Sequence, residues 1–122
     1  MAKSLLVRFE DLPERVEMSG DSNPFEDDVS EEDGLIAKQV LLDFASESDK
    51  TDSQDLQLQF YAEMDKERNL IEQIIIRPHQ GIQNDHDRAK YYYALLEAIK
   101  DTKPDEMGFT DDNKLEFSLW WD

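Results

Sequence analysis

Between Leu56 and Met64 the chain alternates strictly: Leu56, Leu58, Phe60, Ala62 and Met64 are apolar, with Gln57, Gln59, Tyr61 and Glu63 between them. A period of two puts the five apolar side chains on one face of a strand. The polar run 65–69 follows, and then 70–76, rich in β-branched isoleucine. Together they predict a β-hairpin with a loop of about five residues. The first strand has one polar face and the second is apolar on both, so the second is expected to be the more central. Pro78 and Gly81 end the segment.

Helical spacing takes over next. Asn84 is a good N-cap with Asp87 three residues on, and Asp85 and Asp87 suit the positive end of a helix dipole while Lys100 and Lys103 suit the other. Ala89, Tyr92, Leu96 and Ile99, joined by Tyr93 and Leu95, form an apolar stripe at 3.6 spacing, which predicts a helix over 84–101 lying across the sheet with Tyr91 outward. Pro104 stops it. Leu115, Phe117, Leu119 and Trp121 then alternate with Glu116, Ser118 and Trp120 as a terminal strand, with Trp121 facing the core and Trp120 facing out. Leu5, Val7 and Phe9 predict a first strand, and a turn at Pro13 leads to a short strand at 16–19.

Residues 35–45, LIAKQVLLDFA, fit two patterns. As a strand, Ile36, Val40, Leu42 and Phe44 share a face interrupted by Lys38; as a helix, Ser30 and Asp33 make a capping box ahead of about three turns. The strand is preferred because its face mirrors the next strand and the helical wheel has no clean polar side. The expected fold class is therefore α+β: one domain over 1–122, an antiparallel β-sheet of about four to six strands packed by one long helix at 84–101. The alternative is a ferredoxin-like βαββαβ order with residues 31–46 helical.

Charge changes the picture most between 10 and 33. Of those 24 residues 11 are acidic and only Arg15 is basic, so this stretch supplies −10 of a net −17 in 122 residues. Its second half, 20–34, reads as an irregular acidic loop. The core of the chain is close to balance, and the last 22 residues carry −5. Such a field repels nucleic acid and anionic membranes and attracts proteins with Lys/Arg-rich grooves. There is no cysteine, so disulfides and thiol chemistry are excluded, in keeping with a reducing cytoplasm. The apolar run Leu5–Val7 is too short for a signal peptide or a membrane span.

Catalytic motifs are absent from the sequence. His79 and His86, with Asp85, Asp87 and Arg88, sit between strand and helix, but their spacing matches no standard metal site and capping already accounts for the aspartates. An EF-hand reading that uses Gly34 as its sixth position places Val29 where a carboxylate is required. No glycine-rich phosphate loop or nucleophile elbow occurs. The expectation is therefore no cofactor, no metal and no enzymatic activity. The function expected is that of a small acidic cytoplasmic inhibitor that occupies a basic surface, nucleic-acid-binding or nuclease, of a partner protein, either as an immunity or antitoxin protein or as a phage-type DNA mimic. Its binding residues would be Glu26, Asp27, Asp28, Glu31, Glu32 and Asp33, with Trp120 as an aromatic anchor. The opposing expectation is a small-ligand-binding or enzymatic domain with His79 and His86 at the rim of the sheet.

Overall fold

The alternating hairpin forms the centre of the fold. The computed structural model describes residues 4–18, 24–25, 29–30, 34–48, 58–65, 67–78, 84–100, 102–111 and 115–121. In chain order these give β1 (Ser4–Arg8), one 3-10 turn (Phe9–Asp11), β2 (Arg15–Met18), β3 (Ile36–Ala37), α1 (Lys38–Ser48), β4 (Leu58–Asp65), β5 (Leu70–Pro78), α2 (Asp85–Ile99), β6 (Glu106–Asp111) and β7 (Glu116–Trp120). The result is a mixed α+β fold, an open and mainly antiparallel sheet of seven strands with two helices.

β4 and β5 pair antiparallel from Leu58↔Pro78 to Asp65↔Leu70, with one irregularity: Glu63 opposes Gln73 while Met64 opposes Ile71. Glu72 is the extra residue of a β-bulge, and it is exposed. Without the bulge Ile71 and Ile74, three positions apart, would face opposite sides; with it both join Ile76, Phe60, Ala62 and Met64 on one buried face. Asn69 closes the loop at φ 55°, a left-handed conformation that asparagine tolerates. Its Nδ2 donates to the Arg15 carbonyl at 3.0 Å, and its own carbonyl accepts from the Glu17 amide.

The far edge of β5 is shared. Its first residues pair in parallel with β2 (Glu17↔Leu70, Met18↔Ile71), and Ile74–Ile76 pair antiparallel with β7. β3 extends the sheet beyond β2, β6 extends it beyond β7, and β1 flanks β4 on the opposite side. The expected central place of the second hairpin strand thus holds.

Both helices cover the face of Phe60 and Ile76. In α1, Leu41 is fully buried while Phe44 and Ala45, three and four positions on, are half-buried; the Phe44 ring meets Phe60 at 5.8 Å and Phe25 at 5.2 Å. The start of α1 is held by the chain before β2: the Lys38 amide donates to the Glu14 carbonyl and its Nζ to the Glu10 carbonyl at 2.7 Å.

This corrects the preferred strand at 35–45. Only Ile36 and Ala37 are strand, because the alternating face breaks at Lys38, whereas Leu41, Phe44 and Ala45 share a helical face and Gln39 bonds Asp43 across one turn at 2.9 Å. The expected single helix becomes two, and the sheet has seven strands rather than four to six. A helix at this point also belonged to the ferredoxin-like alternative, but that order has one strand before its first helix, and here three precede it.

α2 starts as expected, with the Asn84 side chain accepting from the Asp87 amide at 2.8 Å. Its phase does not follow expectation. Tyr91, Ala94, Leu95, Ala98 and Ile99 are buried, while Tyr92 (38% exposed), Tyr93 (69%) and Leu96 (61%) face outward. The buried set repeats at three and four residues like the expected stripe, but is turned by about one residue, roughly 100°. Tyr91 carries its hydroxyl inside, where the carbonyls of Ile76 and Leu115 share it. Burial, with smaller contributions from Tyr92 and Glu116, pushes the Tyr91 hydroxyl far above the ordinary tyrosine range and keeps it a donor. Leu115 stands at φ 55°, a conformation costly for leucine, and its carbonyl is the one held by Tyr91. Trp121 ends the core, 2% exposed, with Nε1 donating to the Thr102 carbonyl at 2.9 Å.

Phe60→Ala should destabilise the fold by about 3–5 kcal/mol through the cavity it leaves against Phe9 and Phe44, whereas Leu96→Ala should cost well under about 1 kcal/mol. Chemical denaturation distinguishes them, and equal losses would mean that the faces are misassigned. Tyr91→Phe should cost about 1–3 kcal/mol, because the buried carbonyls of Leu115 and Ile76 lose the one hydroxyl proton they share. The raised tyrosine also has a pH signature. Its proton stabilises the fold fully below the unfolded value near 10 and is lost above it, so wild type should lose stability above about pH 10 more steeply than Tyr91→Phe. Parallel curves for the two proteins would contradict the buried hydroxyl.

Candidate interaction surface

The helix-free face of the sheet is built by the polar positions of the same alternation. Cα pairing places Gln59 beside Arg77, Tyr61 beside Ile75, and Glu63 beside Gln73. Across β5 and β7, Ile75 pairs with Ser118, and outward from there Ser118 pairs with Gly108 and Trp120 with Glu106. Ile75, between Tyr61 and Ser118, is buried even on this side, at 3% exposure. The Arg77 guanidinium lies 4.8 Å from the Tyr61 ring centroid, a cation–π contact, and its Nη2 meets Glu116 Oε1 at 2.6 Å. Tyr61 in turn donates to Gln59 Oε1 at 3.0 Å, and Gln73 donates to Glu63. The centre of this face is a polar network in which Arg77 is held by Glu116 and Tyr61 while its buried Nε has no hydrogen-bond partner among the described residues.

Trp120 faces outward at 38% exposure, as the alternation requires, with Glu106 across from it on β6. The other expected binding residues, Glu26, Asp27, Asp28, Glu31, Glu32 and Asp33, lie outside the described residues. What flanks them is anchored. Phe25 is buried against Phe44, Val29 bridges Ile36, and the Ser30 carbonyl accepts from the Gly34 amide at 2.8 Å, with Gly34 at φ 68°. Phe25 thus sits against α1, and Val29 beside the strand that leads into it. Trp120 belongs to the opposite face, so it does not stand on the same surface as these anchors.

His86 is exposed in the first turn of α2, and His79 lies outside the described residues. Among the described residues no group of three or more His, Cys, Asp or Glu forms a potential metal site, and no helix is long and apolar enough to cross a membrane.

One surface was missed by the sequence reading because it follows from the phase of α2. Tyr92 of α2 meets Phe109 of β6, their rings 5.6 Å apart, and Phe109 meets Phe117 edge-on at 5.0 Å; Leu96, one turn along α2 from Tyr92, is exposed too. Met107 (57%) and Phe109 (38%) remain exposed. The available signal was the alternation of Met107 and Phe109 in a stretch read as a turn.

Comparison with protein-family models, curated proteins and solved structures finds no match to this chain.

Trp120→Ala should leave the melting temperature within about 2 °C of wild type, because the ring lies on the solvent side of β7, whereas Trp121→Ala should lower it by about 10 °C or more. Differential scanning calorimetry of the two variants checks this; a large loss at Trp120 would place it in the core.

Proposed function

We propose that this chain is a small acidic, cytoplasmic inhibitor that binds a basic surface, nucleic-acid-binding or nuclease, of a partner protein. The observation that carries the reading is the concentration of charge: 11 acids against one base in residues 10–33 within a chain of net −17. A field of that sign raises the encounter rate with a Lys/Arg-rich cleft and competes with nucleic acid for it. Support comes from the outward Trp120 beside Glu106, an aromatic ring next to a carboxylate on a rigid strand. An immunity or antitoxin protein and a phage-type DNA mimic use this same chemistry, and they differ in whether the enzyme they block is a toxin or a defence nuclease.

The experiment is capture from host lysate on the immobilised protein. A basic nucleic-acid-binding protein should be retained at low salt, eluted by raised salt, and displaced by excess duplex DNA or RNA. Retained proteins that ignore both salt and nucleic acid would overturn the reading. With the partner in hand, Glu26, Asp27, Asp28, Glu31, Glu32 and Asp33 changed to Asn or Gln should slow association about tenfold or more at low salt and flatten its salt dependence, with little change in dissociation or melting temperature. An unchanged association rate would remove steering from the mechanism.

A further inference from the structure

We propose that the outer edge of β6 is a docking strand, to which a partner protein adds an extended segment whose apolar residues alternate with Lys or Arg. The inference names the partner element engaged by the proposed inhibitor and takes the sign of the partner's charge from that reading.

Three observations converge on this edge. First, β6 pairs with β7 on one side, and among the described residues no strand pairs with it on the other. Its outward backbone donors and acceptors are therefore a template for an added strand. Second, its two faces differ. Met107 and Phe109 point to the helix side, where both are exposed and Phe109 packs on Tyr92, and Glu106 points to the other side next to Trp120. An incoming strand has the same period of two, so its apolar side chains would land beside Met107 and Phe109 while the alternate positions sit beside Glu106, with Trp120 one strand further in. Third, charge selects the occupant. Residues 105–122 hold six acids against Lys114 alone. A second copy of this chain pairing β6 to β6 would set that charge against itself, whereas Lys or Arg at alternate positions neutralises it and packs its alkyl stem or guanidinium against the indole. Gly108 keeps the site open: a Cβ built there meets nothing within 4 Å, so the space over the middle of the strand is clear.

The test uses the full chain and a capped nine-residue peptide alternating Lys with Val. Titrated into isotopically labelled protein, this peptide should produce saturable shifts and slowed amide exchange at residues 106–109, with affinity falling as salt rises; a peptide alternating Glu with Val should produce neither. Met107→Lys should weaken binding by about tenfold or more, as for loss of an interface anchor. Gly108→Glu, which adds a carboxylate into open space, should strengthen binding several-fold, so the outcome does not depend on one variant folding. Leu5→Lys, on the other sheet edge, should leave binding unchanged. No peptide binding, shifts that map to β1, equal binding of the Glu peptide, or self-association through β6 would each overturn the proposal. The two readings fail separately. If Met107→Lys still retains the nucleic-acid-displaced partner at full affinity, the edge falls and the inhibitor stands; if the Lys peptide docks on β6 but no captured protein is displaced by nucleic acid, the inhibitor falls and the edge stands.

Discussion

The fold depends on one strand, β5, that buries isoleucine on both of its faces. In β5, Ile71, Ile74, Ile75 and Ile76 are at most 3% exposed, a burden of hydrophobic surface that no single neighbour covers. Its direct neighbours are placed by that requirement. β4 runs along one edge for the full length of the strand, while β2 and β7 divide the other. Two helices close one face, and on the other Tyr61 and Ser118 flank Ile75 beneath the Arg77–Glu116 pair. The parallel pairing of β2 with β5 has its own consequence. Parallel neighbours need a long crossover, and here the connection runs through β3, α1 and β4, which explains why a helix and not another hairpin strand follows Ile36–Ala37.

A second, smaller constraint decides what the surface looks like. The hydroxyl of Tyr91 is buried, and a buried hydroxyl must find acceptors; it finds them in the carbonyls of Ile76 and Leu115. That fixes the rotation of α2 about its axis. Once Tyr91 is inside, the neighbouring tyrosines and Leu96 are carried out. The exposure of Tyr92 and Leu96 is thus a by-product of hydrogen bonding in the core, and the positive φ of Leu115 is held in place by the same bond.

This explains which parts of the molecule were legible in the sequence. Strands read well because period two has only two phases and the solvated positions mark which is which: the hairpin, the outward Trp120 and the inward Trp121 all follow from alternation. The helix cap at Asn84 read well because it is local chemistry. The phase of α2 did not, since Tyr91-Tyr92-Tyr93 followed by Leu95 and Leu96 fits more than one stripe at 3.6 spacing, and the deciding interaction lies with carbonyls 15 and 24 residues away. Residues 35–45 failed for a related reason. Their alternation and their helical face are both imperfect, and the choice rests on Phe25, Phe60 and the chain before β2, none of which is a local signal. Of the candidate binding residues, alternation placed Trp120, while for the six acids composition gives a charge and no geometry.

Both constraints meet at the open edge of β6. Natural sheets guard an exposed edge with charge, and Glu106 and the acidic hairpin around it do this by making two copies of the chain repel. The guard is incomplete on the helix side, where Met107 and Phe109 are left exposed by the rotation that Tyr91 imposes on α2. An edge guarded by one sign of charge on one face and apolar on the other repels its own kind and remains complementary to a segment of opposite charge. The same carboxylates that keep this chain from pairing with itself therefore specify the partner strand it is able to accept.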